Sequence, residues 1–216
     1  MIERKQLQAE IDGLVAHLYG LAEEDFEHIL STFPIIEQSV KDAALDAYHY
    51  FALPPSDLEL AEMIAQGEND SVEFKVAACW NARRGEKQDS MKDNIVQEVA
   101  AFLNSRKGGV VLIGVEDDGT VVGLDDDYKA ANPQKQNRDG YHLFLNDALR
   151  SNLADNWHLF CTISFGMNKG KELCIIKVDP ANEPMYTKIG DFYLRIGPQK
   201  QKLPPRQVVN YIKERW

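Results

Sequence analysis

Cysteine is scarce in this chain of 216 residues, and its three cysteines form no recognisable pattern. Cys79, Cys161 and Cys174 lie far apart with no C-x-x-C spacing, so the sequence predicts neither a zinc site nor a disulfide framework. No apolar run is long enough to span a bilayer, and the N-terminus has no signal-peptide pattern. We therefore expect a cytoplasmic protein with no membrane partner.

The motifs of several enzyme classes are also missing. No G-x-x-x-x-G-K-[ST] loop occurs, and the pair Gly108-Gly109 precedes a strand pattern, which argues against an ATPase. The five histidines are dispersed, and none forms a nucleophile–base pair that the sequence reveals. Hydrolysis by a serine- or cysteine-type site is therefore not predicted.

Positive charge is in short supply overall but is concentrated near one end. The formal net charge is -10, which by itself argues against a nucleic-acid-binding protein. Residues 1–50 carry three basic residues against ten acidic ones, whereas residues 186–216 carry seven against two. The C-terminal part can therefore present a basic face, although charge alone leaves a mixed solvated surface equally open.

Apolar periodicity divides the chain into a short helical segment and one larger domain. Residues 1–50 predict a helical appendage with two helices, residues 51–55 a proline-containing linker, and residues 56–216 the main domain. Helix and strand patterns in the main domain do not alternate regularly, which predicts an α+β fold with a mixed β-sheet flanked by helices. Polar residues 125–140 predict a long surface loop.

One stretch organises the main domain. Residues 72–76 alternate between apolar and charged side chains, which predicts a strand with Glu73 and Lys75 on one side. An amphipathic helix with Asp93 as its expected N-cap follows, and residues 110–115 form a wholly apolar strand pattern. This strand leads into a turn of three acids, Glu116, Asp117 and Asp118.

The order of motifs in this stretch resembles a known family. E-x-x-x-x-E-F-K at residues 68–75 is followed by a helix ending A-F-L-N-S-x-x-G-G, a strand ending I-G-V-E-D-D-G and, later, FYLRIG. This ordered set resembles the Schlafen AlbA-like domain over residues 56–216. The resemblance implies a nucleic-acid-binding domain of a bacterial defence or restriction-like system, with RNA or DNA as its partner.

The same resemblance implies an alternative, enzymatic function. In animal Schlafens, carboxylates at the matching positions form a metal-dependent endoribonuclease site. The implied catalytic residues are Glu68, Glu73 and Asp117, with Lys75 beside the phosphate, and Glu116 joins the three acids as an implied metal ligand. Mg²⁺ or Mn²⁺ would then be the cofactor, because either ion stabilises charge that develops on phosphorus. Binding without cleavage remains open, since Glu73 and Lys75 can also form an ordinary strand pair.

Six basic residues are the predicted nucleic-acid contacts. Three lie in the polar loop at residues 81–90 and three in the basic C-terminal segment, where phosphate contacts are expected. They are Arg83, Arg84, Lys87, Arg195, Lys200 and Lys202. Arg195 has an alternative role, in which it pairs with a buried carboxylate of the sheet. The E-x-K of Glu73 and Lys75 also matches restriction-type nucleases, but the acidic strand that usually precedes E-x-K comes after it here.

The appendage carries a second resemblance. Residues 11–36, IDGLVAHLYGLAEEDFEHILSTFPII, resemble the C-terminal tail of restriction-modification adenine methyltransferases. That resemblance implies that the chain is a piece of a larger defence protein or has borrowed this element, with a methyltransferase or another defence-system subunit as the expected partner. The alternative is a plain helical hairpin that docks on the main domain, and the apolar helix faces also allow a homodimer. A non-catalytic protein-interaction adaptor is the remaining alternative, which the acidic composition would suit.

Overall fold

The computed structural model describes residues 2–50, 57–154 and 156–216. The chain divides into two compact units, Met1–Leu53 and Pro54–Trp216. The expected linker, residues 51–55, lies outside the described residues, so its role stays a prediction. Within the described ranges, no helix combines the length and the apolar character needed to cross a lipid bilayer.

The described residues of the first unit form three helices where periodicity predicted two. They are α1 (Ile2–Leu18), α2 (Glu23–Ser31) and α3 (Gln38–Tyr50). Helices α1 and α3 approach closely at Gly13. A Cβ atom at this position would lie only 2.6 Å from the backbone nitrogen of Tyr48, so a side chain here would clash with α3. The ring of His17 stacks on that of Tyr48 with centroids 4.1 Å apart.

In its described residues the second unit is built on a mixed sheet of four strands, β1 (Val72–Lys75), β4 (Gly109–Ile113), β5 (Cys161–Asn168) and β6 (Lys171–Val178). Their order in the sheet is β1-β4-β6-β5. Strand β1 runs parallel to β4, whereas β4, β6 and β5 pair antiparallel in that order. This arrangement confirms the predicted α+β class.

Helices and two small hairpins complete this unit. Strands β2 (Trp80–Asn81) and β3 (Glu86–Lys87) form one hairpin, and β7 (Tyr193–Ile196) and β8 (Gln199–Lys202) form the other. The helices are α4 (Asp57–Gln66), α5 (Asp89–Leu103), α6 (Asp125–Ala131), α7 (Arg138–Asn152) and α8 (Pro205–Arg215), with a 3₁₀ turn at Trp157–Leu159.

The sheet is covered on both faces, because its central strands alternate between two apolar layers. Val111 belongs to the larger core, which includes side chains of α5 and α7. Leu112 and Phe74 belong to the smaller core, together with Leu60 of α4. Since Phe74 faces α4, its neighbours Glu73 and Lys75 face the opposite side, toward α5.

Three local predictions in this unit were wrong. The expected loop at residues 125–140 begins with helix α6, and the expected loop at residues 81–90 contains the β2–β3 hairpin. Helix α5 begins at Asp89, one turn before the expected N-cap Asp93. The reason for α6 is tertiary: the carboxylate of Asp127 accepts hydrogen bonds from a distant loop, which local polarity does not reveal.

Candidate functional site

Five charged side chains from β1, α5 and the β7–β8 hairpin meet on the α5 side of the sheet. We call them the charged cluster: Glu73, Lys75, Glu98, Arg195 and Lys200. Strand alternation turns Glu73 and Lys75 toward α5. Arg195 and Lys200 are direct cross-strand partners, so their side chains share one face of a hairpin that packs along α5.

Arg195 lies at the centre of the cluster. Its Nη1 donates to Glu73 Oε2 at 2.6 Å and to Glu98 Oε2 at 3.2 Å. Its Nη2 donates to the backbone oxygens of Asn69 and Val72, at 2.7 and 3.3 Å. The guanidinium lies 4.9 Å from the centroid of the Phe102 ring, and the side chain is only 2% exposed. Arg195 therefore joins β7 to β1 and α5.

The two lysines lie at the outer side of the cluster. Lys200 Nζ donates to Glu98 Oε1 at 2.6 Å and also contacts the amide oxygen of Asn94. Lys75 Nζ bonds Glu73, donates to the backbone oxygen of Phe74 at 2.9 Å and lies 3.7 Å from Glu98 Oε1. The Lys75 side chain is 18% exposed and the Lys200 side chain 21%, so solvent reaches part of each.

The two carboxylates respond differently to this environment. Burial raises the pKa of Glu73, but hydrogen bonds and charges from Lys75 and Arg195 outweigh burial and hold that pKa below its ordinary value. Burial, assisted by the negative charge of Glu73, raises the pKa of Glu98 above its ordinary value against the opposing effect of Lys200 and Lys75. Glu98 is therefore the more readily protonated of the two.

The cluster carries more positive than negative charge. Three cations face two carboxylates, and protonation of Glu98 would enlarge the surplus. Charges in partly buried positions are screened less by salt than fully exposed ones, so their field persists at the surface above them. The arrangement suits attraction of an anion to the side where Lys75 and Lys200 emerge.

The structure does not assemble the implied metal ligands into a cation site. Glu68 Oε1 accepts from the backbone N–H of Phe74 at 2.8 Å, which satisfies a donor of β1. Both oxygens of Glu73 accept from Arg195 and Lys75, and Glu116 and Asp117 are exposed. In the described part of the chain, no three acidic, histidine or cysteine side chains are grouped for metal binding. As arranged, these residues do not fit Mg²⁺ or Mn²⁺, and their catalytic role stays a prediction.

The predicted nucleic-acid contacts divide into outward and inward groups. Arg83, Arg84 and Lys87 are exposed on the β2–β3 hairpin. Lys202 is also exposed, and its Nζ lies 2.7 Å from Asp191 Oδ1. Arg195 and Lys200 instead join the charged cluster, where they neutralise carboxylates. The structure thus separates the fully exposed cations from the two that pair with buried carboxylates, of which Lys200 is partly exposed and Arg195 is buried.

Sequence reasoning missed two buried acids. Glu98 interrupts the apolar run VQEVAAFL of α5, and a charged residue at a core position of a helix was the available signal. Asp127 accepts from the backbone N–H groups of Ala78, Cys79 and Trp80, at 2.7, 2.9 and 2.7 Å. It also accepts from the Tyr141 hydroxyl at 2.5 Å. No sequence signal marked Asp127, because its partners are 14 to 49 residues away.

Comparisons with known proteins bear on residues 68–204, which match the family model described as Schlafen, AlbA_2. This range contains the whole charged cluster but not the appendage, so the methyltransferase resemblance stays a prediction. No curated protein matches the chain. Among solved structures, the DIP2311 protein from Corynebacterium diphtheriae is similar at 19% identity with a TM-score of 0.49. The alignment covers 73% of this chain and 28% of that chain, so this chain spans under a third of its length.

Proposed function

Since the chain belongs to the Schlafen AlbA_2 family, we propose that its main domain binds nucleic acid through the phosphate backbone. The observation that carries the proposal is the surplus positive charge of the charged cluster, which is open to solvent at Lys75 and Lys200. Phosphate contacts of this kind position a nucleic acid without reading its sequence.

The exposed cations of the β2–β3 hairpin extend this surface. Gln88 alone separates β3 from the start of α5, and Lys200 contacts Asn94 in the first half of the same helix. The two basic hairpins are therefore both tied to the N-terminal half of α5. A phosphate backbone that follows this half of α5 would meet cations from each hairpin in turn.

Within this proposal, Arg195 is a positioning residue. It neutralises Glu73 and Glu98, which would otherwise cancel the positive charges of Lys75 and Lys200 at the binding surface. The lysines and the exposed hairpin arginines are the groups proposed to contact phosphate. The defence-system context and a methyltransferase partner remain proposals from the two sequence resemblances.

The direct test compares two sets of charge removals. Replacing Arg83, Arg84 and Lys87 together with alanine should weaken binding to single-stranded RNA and DNA by more than about tenfold at low salt. The slope of log affinity against log salt should become shallower by about 0.9 per lost contact on duplex DNA. Fluorescence anisotropy over a salt series measures both quantities.

The matched control removes exposed cations elsewhere on the same unit, Lys129 and Arg150, which pair with Asp126 and Asp147. This double variant should bind as the wild type does. Equal weakening by both variants would contradict a localised surface. Absence of binding to single- or double-stranded RNA or DNA at low salt would favour the adaptor function instead.

A second candidate, endoribonuclease activity, is favoured by one observation. The parallel pairing of β1 and β4 brings the turn with Glu116 and Asp117 next to the end of β1, where Gly114 N donates to Lys75 O at 2.7 Å. Cleavage would require Glu73 to leave its present partners. Structured RNA should then be cut in Mn²⁺ or Mg²⁺, and Glu73→Gln should abolish cutting while binding persists. Cutting that survives Glu73→Gln, Glu68→Gln and Asp117→Asn would place the chemistry elsewhere.

A further inference from the structure

Strand β5 forms one edge of the main sheet in the described part of the chain, and its own sequence has none of the residues that usually protect an edge. Sheet order places β5 at the end opposite β1, and its eight residues, Cys161–Asn168, include no charged residue and no proline. Exposed strand edges normally carry lysine, proline or a bulge that prevents pairing with another chain. Each residue of β5 pairs with one of β6 without interruption, so no bulge blunts this edge.

The turn after β5 shows which backbone groups face outward. Lys169 and Gly170 have φ values of +50° and +75° and form a two-residue hairpin turn between Asn168 and Lys171. The two residues that flank such a turn form a hydrogen-bonded pair. Along an antiparallel ladder, hydrogen-bonded pairs alternate with pairs whose N–H and C=O groups point away from the partner strand. The residues that direct both N–H and C=O away from β6 are therefore Cys161, Ile163, Phe165 and Met167.

These outward groups have no partner in the described ranges, where no strand or loop hydrogen-bonds to them. The strand is nevertheless held firmly, because Ile163 and Phe165 pack against the larger core. Phe165 also makes edge contacts with the rings of Tyr128 and Tyr141, each with centroids 6.4 Å apart. A rigid row of unpaired backbone donors and acceptors is a template for strand addition.

We propose that a second copy of this chain pairs with β5 in antiparallel orientation, about a two-fold axis that passes beside Ser164. In this register, each outward residue meets an outward residue: Cys161 opposite Met167, and Ile163 opposite Phe165 of the second copy. About eight backbone hydrogen bonds would form, and the sheets of the two copies would become continuous. If the second copy were shifted by one residue, the outward N–H and C=O groups of one strand would face residues whose backbone groups point toward β6, and these hydrogen bonds would be lost.

The chemistry of the strand favours a second copy as the occupant. The sequence CTISFGMN has no charge, so self-pairing opposes no like charges, and the central register sets a β-branched Ile163 against an aromatic Phe165. The interface is self-complementary and closes after two subunits, which is the commonest symmetry among soluble oligomers. The proposal is independent of nucleic-acid binding, because β5 and β1 occupy opposite ends of the sheet.

Sedimentation equilibrium of the full chain over a wide concentration range tests the proposal. The wild type should dimerise. Ser164→Lys should weaken dimerisation by more than about tenfold, because two like charges would face each other across the axis. Met167→Pro should weaken it as well, since it removes an outward N–H but no hydrogen bond to β6. Ser164→Ala is the matched control and should dimerise as the wild type does.

Hydrogen exchange of the backbone amides tests the same pairing residue by residue. The amides of Ile163, Phe165 and Met167 should gain protection as wild-type concentration rises, and thermal unfolding should confirm that each variant is folded. A wild type that stays monomeric throughout overturns the proposal. So does a dimer that survives both Ser164→Lys and Met167→Pro, or a monomer whose β5 edge binds only extended peptides of other sequence.

Discussion

Glu98 and Asp127 are buried acids of the same unit, but they are neutralised in different ways. Glu98 is surrounded by the cations Arg195, Lys200 and Lys75, whereas Asp127 is held by backbone N–H groups and the Tyr141 hydroxyl. Fixed backbone donors cannot move to another anion, so Asp127 locks a loop in place. A lysine ammonium group on its flexible stem can turn to a phosphate, so of these two acids only Glu98 has surroundings that can take part in binding.

The largest effect should come from removing the carboxylate held by backbone donors. Asp127→Ala leaves three backbone N–H groups unsatisfied, two of them buried, and should lower the free energy of unfolding by about 4 kcal/mol. The control is its neighbour Asp126→Ala, whose exposed pair with Lys129 predicts a loss of less than about 1 kcal/mol. Urea unfolding measures both, and similar losses for the two variants would show that Asp127 is not the anchor.

Removing the central cation should have the next largest effect. Arg195→Met leaves two neighbouring buried carboxylates without their shared partner and should lower the free energy of unfolding by about 3 kcal/mol. Arg206→Met changes an exposed residue of α8 and should cost less than about 0.5 kcal/mol. An Arg195 variant as stable as the Arg206 variant would contradict the role assigned to the guanidinium.

The smallest expected effect is on the pH dependence of the free energy of unfolding, to which Glu73 and Glu98 contribute with opposite signs. The lowered pKa of Glu73 contributes stability above its unfolded pKa, and this contribution is lost as pH falls through the folded pKa. The raised pKa of Glu98 has the opposite sign: its contribution is present below the unfolded pKa and is lost as pH rises through the folded pKa.

Glu73→Gln should therefore cost about 2 kcal/mol at neutral pH and progressively less in acid. Glu98→Gln should cost less than Glu73→Gln at neutral pH, and its stability relative to the wild type should improve as pH rises. Urea unfolding at a series of pH values from about 3 to 8 gives both curves. Slopes of the same sign for the two variants would refute this assignment.

Local patterns predicted the backbone of the site better than its contacts. Alternation placed Glu73 and Lys75 on one face of a strand, and the apolar run before Glu116 predicted the buried partner strand that the structure contains. Arg195 was expected to contact phosphate or, alternatively, to pair with a buried carboxylate of the sheet, and the structure shows the second: it bonds Glu73 across 122 residues of sequence. Asp127 lay in a segment predicted to be a loop. Periodicity reports which face of an element is buried, but not which distant charge will lie opposite.

The long sequence separation within the charged cluster also means that its members are synthesised at different times. Glu73, Lys75 and Glu98 emerge early from the ribosome, but Arg195 and Lys200 follow about a hundred residues later, as the sequence separations of 122 and 102 show. A nascent chain that ends before β7 therefore has two acids, Glu73 and Glu98, but only one cation, Lys75, at this place. On the proposed function, the charged cluster contributes to nucleic-acid binding only after β7 and β8 have been synthesised.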